Sequence, residues 1–143
     1  MRVRLAYLVL ALSLFAGGLR MPRADAVAQH TGGVETTVVL RAAPVPAAAL
    51  TLWLQALAEH CGERLLRMKG LVEVAEAPGR PAVIHGVQHV FAPVDWLARW
   101  PSDDRRSRIV VIGQGIPRHF PARLLDAIVA EVLEEMTGRS LRA

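Results

Sequence analysis

Between Leu66 and Ile112 the chain offers three strand-like runs in succession, joined by connections too short or too proline-rich to hold a crossover helix. Strands joined in this way run antiparallel, which removes the parallel, doubly wound folds from consideration. In the first run Leu66, Met68, Val72 and Val74 alternate with Arg67, Lys69, Leu71 and Glu73. The even positions are therefore expected in a core and the basic pair on the opposite face. The turn Ala77-Pro78-Gly79-Arg80-Pro81 closes it. A second run spans Ala82 to Phe91, and beyond Pro93 to Pro101 the third covers Arg108 to Ile112, where Ile-Val-Val-Ile reads as a central, buried strand.

Helical spacing flanks this block on both sides. Ahead of it, Thr36 to Leu40 reads as a strand closed by Arg41-Ala42-Ala43-Pro44. Pro46 then sits at the first turn of a helix carrying Leu50, Trp53, Leu54, Leu57 and Cys61, which ends at Gly62. Behind it, Pro121 opens a helix whose Leu125, Ile128, Val129, Val132 and Met136 form one stripe, closed by Gly138. The order β-α-β-β-β-α predicts a single small α+β domain with a mainly antiparallel sheet and two helices on one face. The other face of the sheet is then partly open and available for docking. At 143 residues, 52% apolar and 21% charged, the chain has material for one such core.

The first 29 residues stand apart from this pattern, dividing the chain into an apolar segment, 1–29, and a domain, 30–143. Arg2 and Arg4 precede an apolar run from Leu5 to Leu19, and Ala24-Asp25-Ala26 supplies a small-residue site downstream, the physical description of a secretory signal. The run is short for a spanning helix, and Gly17-Gly18 weakens its far end. A buried helix, or a start that is not native to the fold, is the other reading. The basic pI of about 10.5 owes much to this segment. From His30 onward thirteen basic residues meet twelve acidic ones, and only 5% of the chain is aromatic, which argues against a nucleic-acid surface.

Several chemistries are absent from the sequence. Lys69, the one lysine, is followed by Gly70, so no G-x-x-x-x-G-K-[ST] phosphate loop exists; nor does a G-x-S-x-G, an H-E-x-x-H or a G-x-G-x-x-G motif. Cys61 is the single cysteine, leaving no internal disulfide and no thiolate cage. His85 and His89 are the metal candidates. On one strand their Cα atoms would stand about 13 Å apart, so each would need a ligand from a neighbouring strand or another chain. A sheet histidine bonded to a backbone or carboxylate partner is the alternative. Arg67 and Lys69, with Gln88 or His89 on the next strand, form a candidate cluster for an anion or a carboxylate-bearing partner, against the alternative of a solvated face. Asp103, Asp104, Arg105, Arg106 and Arg108 read as a loop of mutual ion pairs.

Three segments carry a family resemblance: Arg67-Met68-Lys69-Gly70, then Gly86-Val87-Gln88-His89, then the run from Trp100-Pro101-Ser102-Asp103-Asp104 through Arg105, Arg106 and Arg108 to Gly113. In this order and spacing they resemble the C-terminal domain of the CobW and nitrile hydratase activator family of metallochaperone GTPases, over about His30 to Met136. Family members join an N-terminal P-loop GTPase and its CxCC metal motif to this smaller domain. Here the GTPase half and CxCC are missing, so GTP hydrolysis and the principal metal site are not carried over. The resemblance implies a stand-alone or truncated, non-catalytic domain in metal delivery for cobalamin or metalloenzyme maturation. It would dock on a family GTPase domain or a client metalloprotein, with zinc or cobalt as the metal concerned. It also implies a cytoplasmic location and makes residues 1–29 a divergent or spurious start. An exported small binding module, or a gene remnant without function, is the rival reading.

Overall fold

The computed structural model describes residues 33–140, so the signal-like segment, with His30, lies outside the described residues. The first strand, β1 (Val34–Arg41), leads into helix α1 (Ala47–Cys61) and a 3-10 turn (Gly62–Arg64). There follow β2 (Leu65–Val72), β3 (Ala82–Val87), β4 (Val90–Phe91), β5 (Asp95–Trp96), β6 (Ser107–Gln114) and helix α2 (Phe120–Ser140). The strands make one sheet in the order β1-β6-β2-β3-β4, with β5 paired to the start of β3, and every pairing between strands is antiparallel. Because β6 runs antiparallel to both β1 and β2, those two strands are parallel to each other. The β1-α1-β2 unit is thus split by a strand that arrives last, and the Ile-Val-Val-Ile run becomes an interior strand as expected.

Both helices lie against one face of the sheet, and the core forms between them. Trp53 and Leu57 from α1 and Leu124, Leu125 and Ile128 from α2 are fully buried with Leu65, Met68, Ile84 and Ile109 from the strands. Trp53 also donates its indole Nε1–H to the Pro121 carbonyl at 2.9 Å, fixing one helix on the other. Pro46 provides no side-chain cap for α1; instead the Glu76 carboxylate accepts the Ala47 N–H at 2.9 Å. A negative group at a helix N-terminus is also favoured by the helix dipole. Arg41 pairs with Asp126, tying the end of β1 to α2. Among the described residues no helix is long and apolar enough to cross a membrane.

Four local expectations are corrected. The run from Ala82 to Phe91 is a hairpin rather than one strand: β3 and β4 meet with Val87 opposite Val90, and Gln88 and His89 form the turn, with Gln88 at φ +54°. The hairpin closes tightly because Gly86 faces Phe91, whose ring would come within 2.5 Å of any Cβ there. Leu65, not Leu66, enters the core, since an irregularity between Leu65 and Arg67 resets the β2–β6 register. Helix α2 runs past Gly138 to Ser140, and its Met136 is 55% exposed, the buried stripe of the helix ending at Val132. The two-residue strand β5 is too short to show a period in the sequence.

Candidate functional site

The sheet face away from the helices carries the residues of interest, and the strand register arranges them in rows. One row runs Leu40, Arg108, Leu71 and Val83; the next runs Val38, Val110, Lys69 and His85; a third begins Thr36, Ile112 and Arg67. Two halves emerge. Over β1 and β6 the face is largely apolar, with Val34, Val38 and Leu40 exposed and Val110 and Ile112 half-buried. Over β2 and β3 it is basic at its edge and roofed by the segment that precedes β6.

That roof and the strands beneath enclose a cleft of about 410 Å³. Leu71, Val83 and Val110 belong to its floor, Trp100 and Pro101 to its roof, and Lys69, His85, Arg106 and Arg108 bring basic groups to its lining. Glu73, one residue beyond β2, fastens the roof. Its carboxylate accepts the Trp100 indole Nε1–H at 2.6 Å and the Gly79 N–H at 2.9 Å. Its own N–H donates to the buried Ser107 hydroxyl at 2.9 Å, and its carbonyl accepts the Val45 N–H at 2.8 Å. A second fastening is Asp104, which receives both the Nε–H and an NH2 proton of Arg106 and, at 3.4 Å, an NH2 proton of Arg108. The hydrogen bonds from Arg106 hold the Asp104 carboxyl well below the usual carboxylate range, so this clasp stays ionised in mildly acidic solution.

Glu73→Ala is expected to release the roof. The loss of two hydrogen bonds to a half-buried carboxylate should cost about 2 kcal/mol of stability in urea unfolding and move the Trp100 indole N–H resonance toward its solvent-exposed position. Glu73→Gln, which keeps one acceptor oxygen, should fall between the two. Unchanged stability and an unmoved indole signal in the alanine variant would show that the roof is held by other contacts.

The structure gathers only part of the cluster read from sequence. Arg67, Lys69 and His85 share the open face, and Lys69 stands directly opposite His85. Gln88 and His89 are not beside Arg67 and Lys69: they form the exposed β3–β4 turn, because the run from Ala82 to Phe91 bends back after Val87. For the same reason His85 and His89 do not share a strand. Arg106 and Arg108 take part in the Asp104 clasp, whereas Arg105 and Asp103 are exposed and make no side-chain bond among the described residues. Glu73 gives no signal in the sequence beyond being a polar residue of an alternating strand. Its partner Gly79 lies six residues on, in the turn after the strand, and Trp100 and Ser107 lie much further along, both in the segment from Trp100 to Gly113; neither signal points back to Glu73.

A resident metal does not fit the described residues: no group of three His, Cys, Asp or Glu side chains converges there. Cys61, the last residue of α1, is buried, and burial pushes its thiol up to about 11, so it is not a thiolate at neutral pH.

Comparison with known proteins adds the family. The model of the cobalamin synthesis protein cobW C-terminal domain matches residues 34–129. The crystal structure of a Zn(II)-bound YjiA GTPase from E. coli superposes with a TM-score of 0.61 at 22% identity, covering 76% of this chain and 33% of that one. A Zn(II)-bound triple mutant of YjiA GTPase gives a TM-score of 0.62 with the same identity and coverage. The present chain therefore spans about a third of the length of these structures. No curated protein sequence matches it.

Proposed function

The chain belongs to the family of cobalamin synthesis protein cobW C-terminal domains, and from that membership we propose that it serves metal delivery as a non-catalytic docking domain. The observation that carries this reading is the apolar half of the open sheet face. Val38 is 50% exposed and Leu40 52%, beside half-buried Val110 and Ile112, on strands whose other side is already packed by both helices. Contiguous apolar surface of this kind, rimmed by Arg67 and Lys69, is what a protein partner covers.

The partner best supported is a family GTPase domain. In the similar YjiA structures this fold accounts for a third of a longer GTPase chain, so a surface suited to the remaining part is the economical use of the open face. A client metalloprotein undergoing cobalamin or metal loading is the other occupant, with zinc or cobalt as the cargo. Nucleotide hydrolysis belongs to the partner, since this sequence has no phosphate loop. A cytoplasmic location goes with a GTP-dependent partner.

Calorimetric titration of the chain with a separately expressed family GTPase domain, with and without Zn²⁺ or Co²⁺, tests the proposal. Val38→Asp is expected to weaken binding roughly tenfold or more, because it would bury a carboxylate without a partner, while leaving the circular dichroism spectrum unchanged. Absence of binding to the GTPase domain, to a client protein and to either metal would sink the reading.

A further inference from the structure

The roofed cleft over β2 and β3 borders the apolar half of the same face, sharing Val110 with it, and its lining has a definite chemistry of its own. Its volume of about 410 Å³ lies within the range of ~300–1,000 Å³ typical of small-molecule pockets. The Asp104 carboxylate offsets one of the cations facing the space, and Lys69, Arg106 and Arg108 together exceed it by two charges. Arg106 is consumed by its fork on Asp104, whereas Arg108 touches Asp104 only at 3.4 Å. Lys69 has no ion pair or side-chain hydrogen bond among the described residues. Its ammonium and most of the Arg108 guanidinium are therefore available to a ligand.

The remaining walls decide which anion fits. Floor residues Leu71, Val83 and Val110 are apolar, and the Trp100 ring is held in place by its bond to Glu73. Strands β2 and β6 are hydrogen-bonded on both sides, and β3 pairs with β2 on one side and with β4 and β5 on the other, so the floor's backbone N–H groups are largely engaged in the sheet. Inorganic phosphate is usually held by several free backbone amides at a helix N-terminus or nest, and this cleft supplies neither. A carboxylate needs only two or three side-chain donors on one edge, and an apolar body attached to it would meet Leu71, Val83 and Trp100. We infer that the cleft binds a small carboxylate with a flat, apolar body, its charge set between Lys69 and Arg108 and its body beneath Trp100.

The probe is benzoate, titrated into ¹⁵N-labelled chain at low salt and followed by the Trp100 indole N–H and the Lys69 and His85 backbone amide resonances. A saturable shift of these signals is expected, with benzamide, the neutral compound of the same shape, and inorganic phosphate giving none. Lys69→Gln should weaken benzoate roughly tenfold without disturbing the fold, since Lys69 is exposed. Arg123→Gln, on the exposed side of α2 across the sheet, should leave binding as it is. No saturable shift with benzoate, equal binding of benzamide or phosphate, or undiminished binding by Lys69→Gln would each overturn the inference. None of these results touches the docking proposal, which is read at Val38 with a protein partner.

Discussion

Trp53→Ala is expected to lower the unfolding free energy by about 3–5 kcal/mol, a large part of the ~5–15 kcal/mol that holds a domain of this size. Trp53 has no exposed surface, and it stands where α1, α2 and the sheet meet. Truncation removes the largest side chain in the core and leaves a cavity that three elements, each fixed by other contacts, cannot collapse to fill. It also deletes the hydrogen bond to the Pro121 carbonyl, which ties one helix to the other. Trp53→Phe separates the two contributions. It keeps most of the apolar volume and loses the donor, so it should recover more than half of the loss if packing dominates. Urea unfolding followed by circular dichroism measures both variants. Equal destabilisation by Phe and Ala would mean that the bond to Pro121, and not the volume, fixes the helix pair.

The elements with a strong local period are legible in the sequence itself. The Ile109 to Ile112 run, the Leu50, Trp53, Leu57 and Cys61 face, and the Leu125, Ile128, Val129 and Val132 stripe all lie where their spacing puts them. In each, local pattern and tertiary burial favour the same conformation. The features that local pattern does not reveal are decided by contacts between distant residues. Gln88-His89 carries no Asn-Gly or Asp-Gly signature, and the hairpin turns there because Gly86 admits the Phe91 ring. The irregularity after Leu65 depends on the register against β6, which arrives some forty residues later in the chain.

The site divides along the same line. That Arg67 and Lys69 share the open face follows from alternation alone. Which residue stands opposite Lys69 depends on where the β2–β3 turn ends, and the answer is His85 rather than Gln88 or His89. Glu73 illustrates the limit further: the four groups it joins come from positions 45, 79, 100 and 107, so no window along the sequence contains the pattern. A family resemblance could point to Trp100 and Asp104 as a segment, but the cleft they roof exists only once β6 is threaded between β1 and β2.

Gly70→Val tests that threading directly. Gly70 lies opposite Ile109 where β2 pairs with β6, and a Cβ at this position would sit 2.6 Å from the Arg108 carbonyl oxygen and 2.7 Å from the Ile109 Cα. Both are backbone atoms of an interior strand, so neither can swing aside as a side-chain tip would. Relief requires β2 and β6 to separate at the middle of the sheet, with loss of ladder hydrogen bonds on either side. Overpacking of a well-filled core costs about 1–3 kcal/mol for an added methylene or two, and here the strain falls on backbone, so the valine variant should lose at least about 3 kcal/mol. Gly70→Ala should lose less, as its single methyl meets the same atoms with nothing beyond them. Because Gly70 adjoins Lys69 on β2, the alanine variant should also shift the Lys69 and His85 amide resonances while remaining folded. A valine variant as stable as the parent would mean that β2 and β6 do not approach so closely, and the cleft above Lys69 would then have a different floor.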